Sequence, residues 1–368
     1  MNVAVDVTAL AQTRAGTARY LQALLPRVER EVQVDRVRGF ARGRPGTLWL
    51  DLAWYPHVLP RRARAADVLH CPTYRGPVRA GVPLVVTVHD VAVFRYPEAF
   101  PRWTRAYSRF AVPRVLRAAR RVLAVSEFTA SELEAVLGLP REQIAGASWR
   151  DHGAIITVTS LAAAMELANR VAPEHLELAV DDPEALLLRV RNAGAVFLGH
   201  YTPEAIGDYV LAVGTLEPRK NLARTIEAAA RLDLELRVVG ARGWGGVEAH
   251  GANVRALGEI SDEELARQYR GALCLAYPSL YEGFGIPVLE AMACGTPVVT
   301  SAGGATEEVA GGAAVLVDPR DVDAIAEGID AAIGKRDELR VLGLERARAY
   351  SWDETARLTV AAYREAAA

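Results

Sequence analysis

Cysteine is scarce in this chain of 368 residues. Its three cysteines, Cys71, Cys274 and Cys294, lie far apart within apolar runs. Disulfide frameworks and cysteine-rich metal sites need paired or regularly spaced cysteines, so the sequence predicts neither. We expect three reduced thiols in the core of a cytoplasmic protein.

Lysine is scarcer still, since Lys220 and Lys335 are the only two among 43 basic residues. Acidic residues balance the arginines, and the formal net charge is −2. A chain this close to neutrality has no electrostatic signature of a nucleic-acid-binding protein, so we expect no nucleic acid partner.

Long apolar runs are also absent. No run reaches the roughly 18 residues that a membrane-spanning helix needs, and no secretory segment opens the sequence. Any membrane contact is therefore expected to be peripheral, at the inner face. Arg102, Arg105 and Arg109 recur at helical spacing, and such a basic face either attracts anionic lipid or is simply solvated.

The residues that are present describe a globular α/β protein. Hydrophobic residues make up 51% of the chain and charged residues 24%, and the length predicts two domains. Short apolar runs alternate with helical patterns through most of the chain, which is typical of doubly wound parallel sheets. Residues 36–60 are the exception, where glycine, proline and arginine predict loops.

The clearest functional pattern lies in residues 279–299. An apolar strand precedes it, Gly283 and Gly285 form a loop, and a helix follows from Pro287 until a second strand begins near residue 297. In such a βαβ unit the start of the helix binds anions. Glu282 and Glu290 flank this helix start, so the pattern predicts a ligand with both phosphate and hydroxyl groups, such as a sugar nucleotide. Solvated glutamates on an ordinary βαβ unit are the alternative.

Two further loops follow strands and offer ligand contacts. Gly214 ends the strand at 210–213 and permits close backbone approach, while Arg219 and Lys220 present adjacent cations at a helix start, which suits a diphosphate. Near the N-terminus, Gly16 lies between the first strand and the first helix. Gly16 fits a phosphate loop and a plain turn equally well.

A histidine stands at another strand end. His89 closes the apolar strand 84–89, and Asp90 follows it. Open α/β sheets place functional residues at the carboxyl ends of their strands. His89 is therefore a candidate site residue, whereas Asp90 is expected to support the loop; a purely structural histidine is the alternative.

These segments together resemble the retaining glycosyltransferases of family 4. The similarity covers residues of about 1–147 and 209–368, and its strongest part is the Glu-x7-Glu signature Glu282–Glu290. The resemblance implies the GT-B fold, in which two Rossmann-like domains face a cleft. It implies domains at 1–147 and 210–351, with a terminal helix at 352–368 that crosses back to the first domain.

The resemblance also implies roles for the candidate residues. Arg219 and Lys220 would neutralise the departing diphosphate of a nucleotide sugar, and His89 and Glu282 would lie near the donor sugar. Glu290 would bind the ribose. The remaining nucleotide contacts would come from the loop residues Gly16, Gly214, Gly283, Phe284 and Gly285. GT-B enzymes work without a divalent metal, and no Asp-x-Asp motif is evident, so we expect no metal or other cofactor. The implied acceptor is a glycan or a lipid-linked hydroxyl.

Residues 148–209 depart from this family. The short strand that relatives carry after residue 144 is expected to be missing, and a small α/β segment follows instead. Residues 169–178 and 192–209 resemble a fragment of histidinol dehydrogenase, with Glu174 and His175 as its acid/base pair and Asp208 as a zinc ligand. The chain is therefore predicted to be a chimera.

Three functions remain open from the sequence. The first is an active glycosyltransferase. The second is a folded scaffold that binds nucleotide but turns over poorly, because the foreign segment alters cleft closure. Histidinol dehydrogenase activity is the third and is disfavoured, since one aspartate cannot hold a catalytic zinc, which takes three protein ligands.

Overall fold

The structure is a computed structural model that describes residues 1–12, 16–40, 43–146, 160, 162, 164–166, 169, 175–178, 189–191, 195–198 and 207–368. The chain divides into two compact units. The first comprises Met1–Asp151 and Asp208–Ala368, and the second comprises His152–Gly207. The first unit contains two parallel sheets of six strands each.

The N-terminal sheet has the strand order β2-β1-β3-β4-β5-β6, and every pair in it is parallel. Its strands are β1 (Asn2–Asp6), β2 (Gln33–Val37), β3 (Val68–Cys71), β4 (Leu84–Val88), β5 (Arg121–Ala124) and β6 (Ile144–Gly146). The helices around it are Thr8–Gln12, Gly16–Val28, Gly43–Trp49, a π-helix at Leu50–Val58, Leu59–Ala63, Ala92–Arg95, Arg102–Phe110, Val112–Ala118 and Glu127–Leu137.

Both faces of the N-terminal sheet are covered by apolar side chains, as a buried parallel sheet requires. One face packs against Leu50, Trp54 and Leu133. The other packs against Leu21 and, from the helix Trp352–Ala367 at the end of the chain, Tyr363. The final helix therefore completes the core of the first sheet.

The C-terminal sheet has the order β11-β10-β9-β12-β13-β14, again wholly parallel. Its strands are β9 (Tyr209–Val213), β10 (Glu235–Val239), β11 (Val254–Gly258), β12 (Cys274–Tyr277), β13 (Val298–Ser301) and β14 (Val315–Val317). The helices that follow in this half are Leu222–Arg231, Asp262–Gly271, Ile286–Ala293, Ala305–Ala310, Val322–Gly334 and Arg336–Arg348. The α/β class and the two doubly wound sheets predicted from the sequence are confirmed.

Two local predictions are wrong. Residues 36–60 are largely helical after β2, because Leu50, Trp54 and Tyr55 bury their side chains against the sheet despite the flanking glycines and prolines. The strand expected to be missing after residue 144 is also present: β6 pairs with β5 at the edge of the N-terminal sheet.

The second unit is described only in part. Two strands of it, β7 (His175–Leu178) and β8 (Ala195–Leu198), form a parallel pair. Residues 182–192 are also predicted to be helical from the sequence; the described residues 189–191 are not helical, and the rest of that stretch and the candidate Glu174 lie outside the described residues. The boundaries 148–209 and 210–351 remain predictions.

Candidate active site

The adjacent cations Arg219 and Lys220 lie on a 3₁₀ turn, Pro218–Lys220, that follows β9. Asn221 ends this turn in the left-handed conformation, with φ of 59°. Asparagine tolerates this conformation, and its Nδ2 donates to the carbonyl oxygens of Pro278 at 2.9 Å and Pro319 at 2.6 Å. The turn is thus fixed to both neighbouring loops.

The two cations converge on one carboxylate. Lys220 Nζ lies 2.7 Å from Glu282 Oε1, and Arg219 Nη1 lies 2.7 Å from Glu282 Oε2. Tyr277, the last residue of β12, contacts both Lys220 and Glu282. Its hydroxyl accepts from Lys220 Nζ at 2.5 Å and donates to Glu282 Oε1 at 3.0 Å. Both carboxylate oxygens of Glu282 are therefore occupied.

Burial and charge act in opposite directions on Glu282. Burial alone would raise its pKa, but the positive charges of Arg219 and Lys220 outweigh that effect and lower the pKa to about 2. Arg219 is also paired with Glu217 at 2.7 Å. The result is a buried cluster of two cations and two carboxylates at the carboxyl end of the C-terminal sheet, in a position to exchange internal ion pairs for phosphate oxygens.

Glycines allow the close approaches around this cluster. At Gly214, whose φ is 144°, a Cβ atom would lie 3.2 Å from Cε of Lys220. Gly285 has a φ of 106° and precedes the helix Ile286–Ala293. Both positions favour glycine because residues with a Cβ atom rarely adopt such backbone angles.

Glu290 lies in the helix after this loop and is bound from two directions. Its Oε1 accepts from Arg19 Nη1 at 2.9 Å, and its Oε2 accepts from the hydroxyl of Tyr269 at 2.9 Å. Burial raises the pKa of Glu290, while the charge of Arg19 opposes the rise. The second glutamate of the signature thus meets a residue from the N-terminal half.

His89 follows β4 and faces the same region from the N-terminal sheet. Its Nε2 donates to the carbonyl oxygen of Pro72 at 3.0 Å, and the edge of the Tyr20 ring lies against it with centroids 5.0 Å apart. Burial lowers the pKa of His89. A Cβ atom at Gly283 would lie 1.5 Å from the carbonyl oxygen of His89, so the backbones of the two halves come into close contact here.

Hydroxyl groups hold this junction. The side chains of Ser126 and Thr129 both donate to the carbonyl oxygen of Gly283, at 2.6 and 2.9 Å. Nearby, the carboxylate of Glu308 accepts from the backbone N–H groups of Glu127 and Phe128 at the start of a helix. The structure therefore brings the His89 loop directly against the Glu282–Gly283 loop.

Sequence comparison shows which family the chain belongs to. Residues 205–348 match the family of group 1 glycosyl transferases, and residues 4–145 match Glycosyltransferase Family 4. The O-antigen chain mannosyltransferase B of Escherichia coli is 32% identical over 297 residues, which cover 76% of this chain and 70% of that protein. The chain belongs to the family 4 glycosyltransferases.

Solved structures give the same fold for this glycosyltransferase. Sucrose-phosphate synthase from Thermosynechococcus elongatus aligns over 99% of this chain and 98% of its own, with a TM-score of 0.68 and 20% identity. Anabaena HepE, solved in complex with UDP-glucose, covers 98% of this chain and 100% of its own, with a TM-score of 0.64 and 17% identity. The GT-B architecture expected from the resemblance is confirmed.

The foreign segment is confirmed as well. Residues 118–230 match the histidinol dehydrogenase family, a wider range than the segment at 148–209. The enzyme of Rhodospirillum rubrum is 48% identical over 136 residues, but the match covers only 31% of that enzyme and 32% of this chain. Its flanks overlap the glycosyltransferase matches and include β5 and β9 of the two large sheets.

The remaining predicted residues of the glycosyltransferase are placed as follows. Gly16 begins the helix Gly16–Val28, and no atom lies within 4 Å of a Cβ added there. The Phe284 ring packs edge-on against Tyr350, with centroids 5.8 Å apart, and belongs to an apolar cluster. Asp208 is exposed. Asp90 accepts from the N–H of Ala92 and so supports its loop.

Several contributors were missed by sequence reasoning. Tyr277 stands at the end of a buried strand next to the signature, and that position could have indicated it. Arg19 and Tyr269 carry no local signal, because each reaches Glu290 across the fold. Among the described residues, no group of three or more histidine, cysteine, aspartate or glutamate side chains is arranged to hold a metal ion, and no helix is both long and apolar enough to span a membrane.

Proposed function

We propose that this glycosyltransferase moves a sugar, with retention of configuration, from a nucleoside diphosphate sugar to a hydroxyl acceptor. The observation that carries the proposal is the convergence of Arg219 and Lys220 on Glu282 at the carboxyl end of a parallel sheet. Two fixed cations beside a glycine loop provide the positive charge that a leaving diphosphate requires. The complex of HepE with UDP-glucose supports the donor class, and retention follows from the family resemblance.

Each residue has a distinct part in the proposed reaction. Phosphate oxygens of the donor take over the hydrogen bonds that Arg219 and Lys220 now give to Glu282. This frees the oxygens of Glu282 to accept from hydroxyl groups of the sugar. Glu290 accepts from the ribose, and His89 faces the donor sugar from the other sheet. As the bond between sugar and phosphate breaks, the two cations stabilise the negative charge on the diphosphate.

Lysine offers a matched test of this mechanism. Lys220→Ala removes a buried cation of the cluster, whereas Lys335→Ala removes the other lysine of the chain, which is exposed. With GDP-mannose and UDP-glucose as donors, we expect Lys220→Ala to lower release of the nucleoside diphosphate by about 100-fold or more, in line with loss of one electrostatic stabiliser. Lys335→Ala should be unchanged. Equal activity of the two variants would rule out the role of Lys220 in stabilising the leaving diphosphate.

We further propose that the acceptor is a glycan or a lipid-linked hydroxyl, met at an anionic membrane surface. The bacterial relative, an O-antigen chain mannosyltransferase, supports an acceptor of this class. The helix Arg102–Phe110 supports the proposed contact with an anionic membrane, because all three of its arginines are exposed. Trp103 and Phe110, 37% and 61% exposed, form an adjacent apolar stripe. A helix with neighbouring basic and apolar stripes suits the interface of an anionic bilayer.

Vesicle sedimentation tests this contact. The full chain should bind vesicles that contain phosphatidylglycerol and should not bind pure phosphatidylcholine. The triple variant Arg105→Gln, Arg109→Gln, Phe110→Ser should lose this binding. Val341→Ser alters an exposed apolar residue of the other half, 65% exposed, and should bind like the parent. Retained binding by the triple variant would exclude this helix as the contact.

A further inference from the structure

Arg19 makes an unusual contact for a residue of the N-terminal half. It lies in the helix Gly16–Val28, yet its guanidinium reaches the C-terminal half, where Nη1 pairs with Glu290 at 2.9 Å and Nη2 pairs with Asp262. Glu290 and Asp262 lie on two different helices, Ile286–Ala293 and Asp262–Gly271. The Arg19 side chain therefore connects its own helix, in the N-terminal half, to two helices of the C-terminal half.

Through this contact Arg19 occupies Glu290, the carboxylate that is proposed to bind the ribose. The two neighbouring hydroxyls of a ribose bind a carboxylate by donating one hydrogen bond to each oxygen. Both oxygens of Glu290 already accept, one from Arg19 and one from Tyr269. A carboxylate oxygen can accept a second hydrogen bond, so a ribose hydroxyl is not excluded, but it must share each oxygen with the donor that is already bound there.

Arg19 is the donor that can leave at lower cost. The Tyr269 side chain is 1% exposed and packed in the core of the C-terminal sheet. The Arg19 side chain is 35% exposed, and its partners Glu290 and Asp262 are 28% and 85% exposed, so water can solvate Arg19 and Asp262 when the contacts separate. Ion pairs that water reaches are weak, typically about 1 kcal/mol or less, whereas moving a packed aromatic disrupts the core.

We propose that Arg19 is an internal competitor of the nucleotide: it holds Glu290 while the donor site is empty and is displaced when the ribose binds. The proposal rests on the proposed function, which assigns Glu290 to the ribose. Because the Arg19–Glu290 pair joins the two halves, nucleotide binding and this interdomain contact oppose each other. By linkage, each weakens the other by the same free energy.

Nucleotide affinity of charge-neutralised variants tests the competition. Arg19→Gln removes the competitor, and Arg19→Lys retains a cation that can pair with Glu290. Arg27→Gln is the control, since Arg27 lies on the same helix and forms an ion pair with Asp353 at 3.2 Å. Titration calorimetry with UDP, GDP and ADP should show Arg19→Gln binding its preferred nucleotide about fivefold more tightly than the parent, the equivalent of about 1 kcal/mol. Arg19→Lys and Arg27→Gln should bind like the parent.

Two failures are distinguishable. If the parent binds a nucleotide and Arg19→Gln binds it equally or more weakly, Arg19 is a bystander or a ligand of the donor, and the competition is excluded while the donor site stands. If none of the three nucleotides binds any variant, the proposed function fails and takes this inference with it. Adding Glu290→Gln to Arg19→Gln should abolish the gain, because the gain requires the freed carboxylate; a gain that persists would overturn the mechanism.

Discussion

At the scale of single residues, the organising group is the carboxylate of Glu282. It accepts hydrogen bonds from Lys220, Arg219 and Tyr277 and is only 9% exposed. Lys220 and Arg219 are themselves only 15% and 20% exposed, so neither cation is well solvated. Together with Glu217, which pairs with Arg219, these charges neutralise one another in a region of low dielectric.

Glu282→Gln should therefore destabilise the fold. It leaves the largely buried Lys220 facing a neutral amide, while Arg219 keeps Glu217 as its only carboxylate partner in the cluster. Breaking a buried ion pair in this way costs roughly 3 to 5 kcal/mol. Urea unfolding at pH 7 measures the loss. Glu263→Gln alters a glutamate that is 85% exposed and should change the free energy of unfolding by less than about 0.5 kcal/mol. A Glu282→Gln protein as stable as the parent would show that the cations find other partners.

Acid should weaken the ion pairs of Glu282 over a defined range of pH. The unfolded chain binds a proton at Glu282 near pH 4.5, whereas the folded chain does so only near pH 2. Stability from the carboxylate is thus fully present above pH 4.5 and is lost as the pH falls toward 2. The difference in unfolding free energy between parent and Glu282→Gln should shrink over this interval, and a constant difference would contradict the assignment.

The sequence could predict Glu282, Glu290, Arg219 and Lys220 as candidates because each lies beside a glycine loop at a strand end, where parallel sheets collect ligands. It could not predict that both signature glutamates are already paired. Those pairs join residues up to 271 positions apart, and local spacing carries no information about such distances.

At the scale of elements, a buried polar chain ties the terminal helix to the N-terminal sheet. His70 of β3 is fully buried; its Nε2 contacts the hydroxyl of Thr87 on β4 at 2.8 Å, and its Nδ1 contacts the hydroxyl of Tyr363 at 2.6 Å. Neighbouring Tyr20 packs against His89. The helix Trp352–Ala367 is therefore fixed by polar contacts as well as by apolar packing.

Mild acid should loosen this attachment. Burial, and to a lesser extent His89, lowers the pKa of His70 from 6.5 to about 3. Between those values the unfolded chain binds the extra proton, so the contribution of neutral His70 is complete above pH 6.5 and is lost as the pH falls. From pH 7 to pH 5 it should remove about 2 kcal/mol of the free energy of unfolding.

His70→Asn should flatten this part of the pH dependence even if the variant is less stable overall. Urea unfolding at pH 7 and pH 5 measures the change, and His57→Asn controls for loss of an exposed histidine. An unaltered pH dependence in His70→Asn would mean that other groups cause the acid sensitivity.

Strands were the most predictable elements. The predicted strands at 84–89 and 210–213 differ from the observed ones by at most one residue at either end, because apolar runs bounded by polar turns define them. Residues 36–60 were mistaken for loops because the π-helix Leu50–Val58 contains Pro56 and follows several glycines. Its stability comes from packing on the sheet, which local propensity does not record.

At the scale of the whole molecule, the junction of the two halves depends on the absence of a side chain at Gly283. Gly283→Ala would place a methyl group 1.5 Å from the carbonyl oxygen of His89, so the two loops must separate. Because the Arg219–Lys220–Glu282 cluster lies within the C-terminal half, nucleotide binding should persist. Turnover should fall by about 10- to 100-fold, as expected when reacting groups are displaced by about 1 Å.

A second glycine provides the control for this experiment. Gly304 has no atom within 4 Å of an added Cβ, so Gly304→Ala should behave like the parent in sugar transfer and in nucleotide calorimetry. If Gly283→Ala transfers sugar at the parental rate, the contact between Gly283 and His89 has no part in turnover.

The chimera raises the remaining question about the whole chain, namely whether His152–Gly207 supports or hinders transfer. The described apolar core clusters of both large sheets draw only on residues of the first unit. We therefore expect a variant in which about 15 Gly/Ser residues, a linker spanning about 20 Å on average, replace residues 152–207 to unfold cooperatively and to bind nucleotide like the full chain. Loss of cooperative unfolding would show that the segment is part of the glycosyltransferase fold. If the variant folds, higher turnover than in the full chain identifies the segment as the impairment, and equal, measurable turnover in both identifies the chimera as an active glycosyltransferase.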